Sequence, residues 1–340
     1  MNNLNFTDKE LRDIANFEAI YEKYIDNERE YKKFPYALYE KIVKGHSYLY
    51  QKKTSQSSST SIGRLEGDNL DKLNLYKQEK EYLDTRSDTL IESLQESIKY
   101  FRISKANRVD SKVAQILREL DKENALGRDV LVVGTNAFVA YEIHAQTLLF
   151  PENMSTDDFD LTWYRNTFDE KNENHEQKPL RLIQLLQGID KTYVLNHKKP
   201  FQAVNAHGYE VELLAAPSVI NGNPNLGGFR PIPLMEQEWL LMGTPVRHVL
   251  LSNDLKPAPI VAPDPRWMAL HKIWLSQKSV RDKTKVQKDF KQGTRLLDLV
   301  VEKMQYEYPL DNFFISQLPK ELKSLLDTHA KVSNKKLKPF

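Results

Sequence analysis

Two short segments in the middle of the chain carry residue types that can do chemistry. Residues 130–137 read Val-Leu-Val-Val-Gly-Thr-Asn-Ala, an apolar run that stops at a Gly-Thr pair and continues as a helix-forming segment. Further on, the sequence Thr-Asp-Asp-Phe-Asp-Leu places Asp158 and Asp160 two residues apart, so in a strand both side chains point to one face. Two carboxylates close to a Gly-Thr turn at a helix start can hold a divalent metal beside a phosphate chain. The combination indicates nucleotide chemistry.

A third carboxylate comes from the sequence Tyr-Glu-Val-Glu-Leu-Leu at residues 209–214. Glu210 and Glu212 share one face of the strand that this pattern predicts. Glu212 is flanked by apolar residues, and an acid there is costly to bury without a metal or a basic partner. We therefore expect Asp158, Asp160 and Glu212 to converge on one metal site, with Glu210 as the alternative third ligand.

The middle third of the chain, which must position these acids, has the pattern of an α/β core. Short apolar runs predict strands, and apolar residues at helical spacing predict helices. The predicted strands are residues 129–133, 157–163, 192–195, 201–205 and 209–214, and the predicted helices are residues 136–146 and a segment beginning at Pro179. His207-Gly208 predicts a tight hairpin turn between the last two strands. The strand connections are of mixed type, which favours a mixed sheet.

Helices are predicted on both sides of this core. Thr7 and Glu10 form a capping box at the start of the first helix. The other predicted N-terminal elements are a helix over residues 35–50, a Ser/Thr-rich loop over 54–63, and helices through 90–101 and 113–120. Helical spacing resumes at Pro265 after a loop rich in Asn, Gly and Pro.

These elements predict an α/β (α+β) fold in which a mixed-sheet core is flanked by N- and C-terminal helical regions. The predicted domains are a helical N-terminal region (1–122), the core (123–220), a mainly helical C-terminal domain (221–330) and a frayed basic tail (331–340). The tyrosines of the first fifty residues are interpreted as helix-packing residues. A stacking surface for nucleic acid is the alternative, although the neighbouring charges are mixed in sign.

The composition excludes several kinds of site. The chain of 340 residues has no cysteine, which excludes disulfides, thiolate zinc sites and cysteine nucleophiles and favours a reducing cytoplasm. It shows neither a signal-peptide pattern nor an apolar run as long as a membrane span, so we expect a cytoplasmic protein without a membrane partner. The net charge of +2 neither requires nor excludes a nucleic-acid partner. The oligomeric state stays open.

The order of these motifs resembles the DNA polymerase β-like nucleotidyltransferase superfamily, whose usual signature is Gly-Ser, then Asp-x-Asp, then a third Asp. The chain is also similar to a group of uncharacterised bacterial nucleotidyltransferases with Val-Gly-Thr-x-Ala, an aromatic-Glu pair and Thr-x-Asp-Ile-Asp-Leu. The corresponding segments here are Val133-Gly-Thr-Asn-Ala137, Tyr141-Glu142, Thr156-Asp-Asp-Phe-Asp-Leu161, Pro263-Asp-Pro265, His271-Lys272 and Lys288-Asp289. The resemblance covers roughly residues 110–300.

This resemblance implies transfer of a nucleoside monophosphate from a nucleoside triphosphate to an acceptor hydroxyl, with release of pyrophosphate. Asp158 and Asp160 would hold two Mg²⁺ or Mn²⁺ ions. Glu212 would complete the catalytic metal site and help to deprotonate the nucleophile. The acceptor stays open among RNA, protein and small molecules.

The resemblance also implies where the triphosphate lies. Backbone amides around Gly134, Thr135 and Asn136 would cradle its phosphates, assisted by the helix dipole. Lys272 and Lys288 are further candidates for phosphate contacts from the C-terminal helices. The neighbouring His271 lies beside an apolar stripe and is expected to be a packed core residue rather than a catalyst.

Two other classes of function compete with this reading. A glycosyltransferase also uses Asp-x-Asp to hold a metal and a nucleoside diphosphate, but it leaves the Gly-Thr turn and Glu212 unexplained. A non-catalytic or regulatory protein on the same fold is favoured by the Glu that replaces the usual third Asp and by the long N-terminal region.

Overall fold

The computed structural model describes residues 4–34, 36–54, 57–149, 158–164, 180–220, 225–279 and 281–332. They belong to two compact units, described here one at a time: the inserted unit, residues 15–101, and the core unit, residues 1–14 with 102–340. The helices are α1 (Asp8–Tyr31), α2 (Asp68–Phe101), α3 (Ser111–Lys122), α4 (Phe138–His144), α5 (Leu182–Ile189), α6 (Pro217–Ile220), α7 (Gln237–Leu240), α8 (Pro265–Leu275), α9 (Lys283–Lys303), α10 (Asn312–Gln317) and α11 (Lys320–Val332). The strands are β1 (Ala37–Val43), β2 (His46–Lys52), β3 (Thr60–Arg64), β4 (Val130–Val132), β5 (Asp158–Trp163), β6 (Val194–Leu195), β7 (Gln202–Val204), β8 (Glu210–Ala215), β9 (Val246–Leu251) and β10 (Pro257–Ala262).

A five-stranded mixed sheet in the order β4-β5-β8-β7-β6 lies at the centre of the core unit. β5 and β8 run parallel, and the other neighbours are antiparallel. In β5 and β8 the acids are partly exposed, whereas Phe159, Leu161, Val211 and Leu213 between and beside them are fully buried. Because side chains alternate along a strand, one face of the β5–β8 pair is apolar and the other carries the acids. The predicted strands and the mixed-sheet fold class are confirmed.

A second sheet, the hairpin of β9 and β10, was not predicted from the sequence. All six residues of β10, which read Pro-Ala-Pro-Ile-Val-Ala, are buried. Two prolines in six residues argue against a strand within a sheet, because proline cannot donate to the hydrogen-bond ladder. β10 tolerates them because its sheet has two strands, so one edge of β10 needs no partner strand. The predicted mainly helical C-terminal region therefore contains a sheet.

Helices α8 and α9 pack closely against each other after this hairpin. Asp264 and Asp282 are their N-caps, and each carboxylate accepts backbone N–H groups of the first turn. At Gly293 of α9, a Cβ atom would lie 2.7 Å from the carbonyl oxygen of Ala269 and 2.8 Å from the backbone nitrogen of Ile273. Only glycine fits there, and its absent side chain lets α9 lie against the backbone of α8.

The inserted unit contradicts two sequence predictions. The helix predicted over residues 35–50 is wrong for the described residues 36–50, because β1 and β2 form an antiparallel hairpin there. Lys44 and Gly45 at its turn have φ of 51° and 80°, the two positive values of a type I′ turn. The predicted loop over residues 54–63 contains the start of β3, which completes a three-stranded sheet. One face of this sheet packs on α2 through Leu38, Leu49, Leu73 and Tyr76.

The N-terminal segment of the core unit forms backbone hydrogen bonds with the residues that follow α4. Phe6 N–H donates to the carbonyl of Gln146 at 2.9 Å, and Leu148 N–H donates to that of Leu4 at 3.0 Å. The capping box is confirmed: Thr7 N–H donates to Glu10 Oε2 at 2.8 Å, and Glu10 N–H donates to Thr7 Oγ1 at 3.3 Å. The chain therefore enters α1 from a fixed position on the core unit.

Some predictions concern residues outside the described ones: Pro179, Asp157, and residues 333–340 of the expected basic tail. The domain boundaries at residues 122, 220 and 330 stay a prediction. Among the described residues, no helix combines the length and apolar character needed to cross a bilayer.

Candidate active site

Four carboxylates lie on one face of the β5–β8 pair. The parallel register sets Asp158 opposite Glu210 and Asp160 opposite Glu212. Residues opposite each other on neighbouring strands share a face, so the predicted trio of Asp158, Asp160 and Glu212 lies on the same face, and Glu210 lies there too. The structure thus brings together the three acids that the sequence singled out.

The pKa of Asp160 reflects the burial of this carboxylate and the negative charges that lie near it. That pKa is raised from 3.8 to about 7, by burial first and then by the charges of Asp158 and Glu212. The charges of Lys272 and Lys285 oppose the shift. The pKa of Glu212 is also raised, by burial first and then by the charge of Asp158. Carboxylates that disfavour one another's charge form a site that a cation would stabilise.

A glutamine that the sequence reading missed holds both glutamates. Gln202 on β7 is fully buried, and its Nε2 donates to Glu210 Oε2 at 2.6 Å and to Glu212 Oε1 at 3.0 Å. The Nδ2 of Asn196 donates to the other end of this amide, Gln202 Oε1, at 2.7 Å. Gln202 falls within the predicted strand 201–205, but only the β7–β8 register of the structure places it opposite Glu212.

The Gly-Thr turn touches the same acids. Val133 N–H donates to the backbone carbonyl of Asp160 at 3.0 Å, which joins the end of β4 to β5. Gly134 follows with φ of 69°, a conformation that favours glycine, and the Asp160 carboxylate occupies the space that a Cβ at Gly134 would need. The Nδ2 of Asn136 donates to the backbone carbonyl of Asp158 at 3.4 Å. A 3₁₀ turn from Thr135 and then α4 begin here, so backbone N–H groups at a helix start lie beside the acids.

The first half of α9 adds cations and an amide. The Nε2 of Gln292 donates to Thr135 Oγ1 at 3.4 Å, which brings α9 to the Gly-Thr turn. Lys288 is partly buried, and its pKa is lowered by burial and by Lys272, while the charge of Asp158 acts in the opposite direction. Lys285, exposed on the preceding turn, lowers the pKa of Asp160. Lys285, Lys288 and Gln292 recur at intervals of three and four, a spacing that puts them on one helix face and could have revealed the two that were missed.

The other predicted lysine has a partner within the protein. Lys272 is buried, and its Nζ lies 2.7 Å from Asp289 Oδ1. Asp289 also binds Arg281, whose Nη2 lies 2.7 Å from the second carboxylate oxygen. The buried pair of Lys272 and Asp289 links α8 to α9, and the partly exposed Arg281 completes the group. Lys272 therefore contributes its charge to the site while its ammonium is bound to Asp289.

His271 is a packed core residue, as expected. It is 5 % exposed, and its ring lies 6.3 Å from the Trp239 ring and 6.5 Å from the Trp274 ring. Within the described part of the chain, neither ring nitrogen has a hydrogen-bond partner. Burial lowers its pKa to about 3, so the ring is neutral at physiological pH.

The donor set on the acid face suits a hard divalent cation, because it consists of carboxylate oxygens. In the part of the chain that the structure describes, no group of three or more His, Asp or Glu side chains is preformed as a metal site. Burial and the charges of Asp158 and Glu212 all disfavour the ionised form of Asp160, and a cation bound at this face would offset that cost. The carboxylate oxygens of these residues are therefore suitable ligands for Mg²⁺.

Comparison with known proteins identifies the region that contains this site. No curated protein and no solved structure matches the chain. The nucleotidyltransferase family model matches residues 111–313, which is more than half of the chain and includes β4, β5, β8, α8 and α9. The Gly-Thr turn, the four acids of β5 and β8, and the lysines of α9 all fall within these residues. The chain belongs to the nucleotidyltransferase family.

Proposed function

We propose that the protein transfers a nucleoside monophosphate from a nucleoside triphosphate to an acceptor hydroxyl in a metal-dependent reaction. The acceptor oxygen forms a bond to the α-phosphorus, the bond from that phosphorus to the bridging oxygen breaks, and pyrophosphate leaves. The observation that carries the proposal is the convergence of Asp158, Asp160 and Glu212 on one face beside Gly134.

Asp158, Asp160 and Glu212 are the residues that would hold Mg²⁺ or Mn²⁺. When bound, the metal would neutralise phosphate charge and favour the ionised acceptor hydroxyl. Glu212, which is held in place by Gln202, is suited to accept the proton of the acceptor hydroxyl because its pKa is raised above the ordinary value of a glutamate.

The triphosphate would lie along the Gly-Thr turn. The backbone N–H groups of Thr135 and Asn136 begin a helical segment and offer donors to phosphate oxygens. Lys288 and Lys285 would add positive charge from α9, and Gln292 fixes this helix to Thr135. Lys272 acts indirectly, because its pairing with Asp289 orders α9 against α8.

The proposal is tested by incubating the protein with each α-labelled triphosphate, Mg²⁺ or Mn²⁺, and a cell lysate. We expect labelled product with at least one nucleotide, and the nature of the product gives the acceptor class among RNA, protein and small molecules. Asp160→Asn keeps the shape of the side chain but removes the charge that a hard cation needs, so turnover should be lost while the melting temperature is kept.

Unchanged turnover in Asp160→Asn would contradict the metal-dependent proposal. Metal-dependent triphosphate binding without release of pyrophosphate, in the wild-type protein, would instead favour a regulatory role. Label transferred from a nucleoside diphosphate sugar, with no label from triphosphates, would favour the glycosyltransferase alternative.

A further inference from the structure

We propose that the inserted unit binds a single-stranded polynucleotide on the outer face of its three-stranded sheet. We call this surface the tyrosine face; it consists of Tyr39, Lys41, Tyr48, Tyr50, Lys52 and Arg64. The proposal does not rest on nucleotidyl transfer, because binding is measured without a nucleoside triphosphate.

The strand register places these residues on one face. Tyr39 lies opposite Tyr50 and Lys41 opposite Tyr48 in the β1–β2 pair, and Arg64 lies opposite Tyr48 in the β2–β3 pair. Residues that face each other across antiparallel strands share a side of the sheet. The opposite side packs on α2 through buried leucines. The tyrosines are therefore directed away from the helix, and the interpretation as helix-packing residues is wrong for these three.

The aromatic rings of the tyrosine face are interleaved with cations. The ring centroids of Tyr39 and Tyr50 are 6.2 Å apart, and the Nζ of Lys41 lies 5.0 Å from the centroid of Tyr50. The Nζ of Lys52 lies 5.5 Å from the ring of Tyr36, which precedes β1 and is 56 % exposed. Partly exposed rings give bases a surface on which to stack, and neighbouring ammonium groups attract the phosphates between those bases.

Positive charge is concentrated in this segment. Residues 36–64 contain five of the 49 Lys and Arg residues but only one of the 47 Asp and Glu residues, which leaves 44 basic and 46 acidic residues elsewhere. That single acid, Glu40, alternates with Tyr39 and Lys41 along β1 and so points to the other side of the sheet. The charges on the tyrosine face are therefore all basic, although the sequence around it is mixed in sign.

The inserted unit also has a cavity, which is lined from the end of α1, from α2 and from the two ends of the β1–β2 hairpin. Its volume is about 520 Å³, and its lining includes Tyr31, Tyr36, Lys53, Tyr76 and Lys80. Tyr36 thus borders the cavity and also contacts Lys52 of the tyrosine face. The cavity repeats the combination of aromatic rings and lysines that the face shows.

A single strand fits these features better than other polyanions. A duplex keeps its bases stacked inside, so the rings would have nothing to stack on. An acidic polypeptide offers negative charge but few planar groups. The aromatic rings and the lysines therefore make separable contributions, and these contributions can be measured independently.

The test uses the full-length protein and a fluorescently labelled single strand of about 12 nucleotides, within the usual size range of such sites. Fluorescence anisotropy gives the affinity over a series of salt concentrations without added nucleotide or divalent metal. The charge variant is Lys41→Gln with Lys52→Gln, and its matched control is Lys72→Gln with Lys77→Gln on exposed positions of α2. The ring variant is Tyr50→Leu, and Tyr50→Phe is the control that keeps the ring.

We expect the charge variant to reduce the slope of log affinity against log salt by about 1.4, since each phosphate contact to a single strand contributes ~0.7. Tyr50→Leu should weaken binding by about tenfold at every salt concentration and leave the slope unchanged. Both controls should behave as the wild type. Tyr48→Leu provides an independent ring variant if Tyr50→Leu lowers the melting temperature.

Results of three kinds would overturn the proposal. The first is absence of binding by the wild type. The second is equal competition by a duplex of the same sequence, or an equal loss of slope in the α2 control. The third is an effect of the lysines with none from Tyr48 or Tyr50, because a face that reads charge alone would suit an acidic polypeptide.

Discussion

At the scale of single residues, Asp160 is where separate parts of the core unit meet. Its side chain fills the space above Gly134, its backbone carbonyl accepts the Val133 N–H, and its charge is coupled to Asp158 and Glu212. The sequence predicted that these acids share a face, because alternation along a strand fixes which side chains lie on the same side; their convergence on one metal stays a prediction. It did not predict Gln202, because nothing in a strand of three residues distinguishes a buried amide that binds two acids from a solvated one.

The two glutamates of β8 should differ in their contribution to turnover. Glu212 is coupled to the charge of Asp158 and is opposite Asp160, whereas Glu210 is opposite Asp158. We expect Glu212→Gln to lower kcat by about a hundredfold or more, the usual scale for a general base, and Glu210→Gln to have a much smaller effect. Steady-state kinetics of the two variants measures this difference. The reverse ranking would make Glu210 the third ligand.

His271 should make the stability of the core unit depend on pH. Its pKa is lowered from 6.5 to about 3 by burial, so the unfolded chain binds a proton below pH 6.5 that the folded protein does not bind. The free energy of unfolding is therefore retained above pH 6.5 and falls as the pH is lowered towards 3, by up to ~1.4 kcal/mol per unit. Between pH 7.5 and 5.5 the wild type should lose about 1.4 kcal/mol more than His271→Phe does.

Denaturant unfolding followed by tryptophan fluorescence measures this difference. All four tryptophans of the chain (163, 239, 267 and 274) lie in the core unit, so the signal reports on that unit. Comparing the two proteins removes the contribution of the other titrating groups. Parallel pH profiles for wild type and His271→Phe would show that the ring does not stay neutral.

At the scale of elements, the accuracy of the sequence predictions follows the strength of the local pattern. β5 alternates polar and apolar residues, β8 begins with the same alternation, and α3 and α9 show clear helical spacing, so all four were predicted. The β1–β2 hairpin was mistaken for a helix because Leu38, Ile42 and Leu49 also fit a helical stripe, and the Lys-Gly turn that breaks it is short. β10 was missed because its two prolines contradict the usual composition of a strand.

Lys288 was predicted to contact phosphates from the C-terminal helices, and the contact of Gln292 with Thr135 places its helix, α9, at the Gly-Thr turn. We expect Lys288→Glu to weaken triphosphate binding by roughly tenfold or more, because it replaces an attractive charge with a repulsive one beside the phosphates. The loss should become smaller at high salt, which screens the repulsion. Lys303→Glu is the matched control: it makes the same charge change about 22 Å further along the helix.

Equilibrium binding of a labelled triphosphate at low and high salt measures both variants. Equal losses in Lys288→Glu and Lys303→Glu would show that only the overall charge matters. Unchanged affinity in both would indicate that α9 is a scaffold or a partner-binding surface, and would favour the non-catalytic alternative.

At the scale of the whole molecule, the core unit is built from two stretches of chain that the inserted unit separates in sequence. Phe6 is 7 % exposed and its segment pairs with the end of α4, so the first stretch contributes to the fold of the second. We expect Phe6→Ala to destabilise the core unit by about 3 kcal/mol, the usual cost of removing a buried phenylalanine side chain. Tryptophan fluorescence during unfolding reports this loss, and Arg12→Ala at an exposed position of α1 provides a control.

The pairing of residues 4–6 with Gln146 and Leu148 affects the order in which the two units can fold during synthesis. Residues 4–6 leave the ribosome well before Gln146 and Leu148, so they have no partners while the whole inserted unit is synthesised. The inserted unit has its own hydrophobic cluster and a sheet of neighbouring strands, which allows it to fold during that interval. Residues 4–6 therefore find these native contacts only after Leu148 has emerged, although they are made before the whole inserted unit.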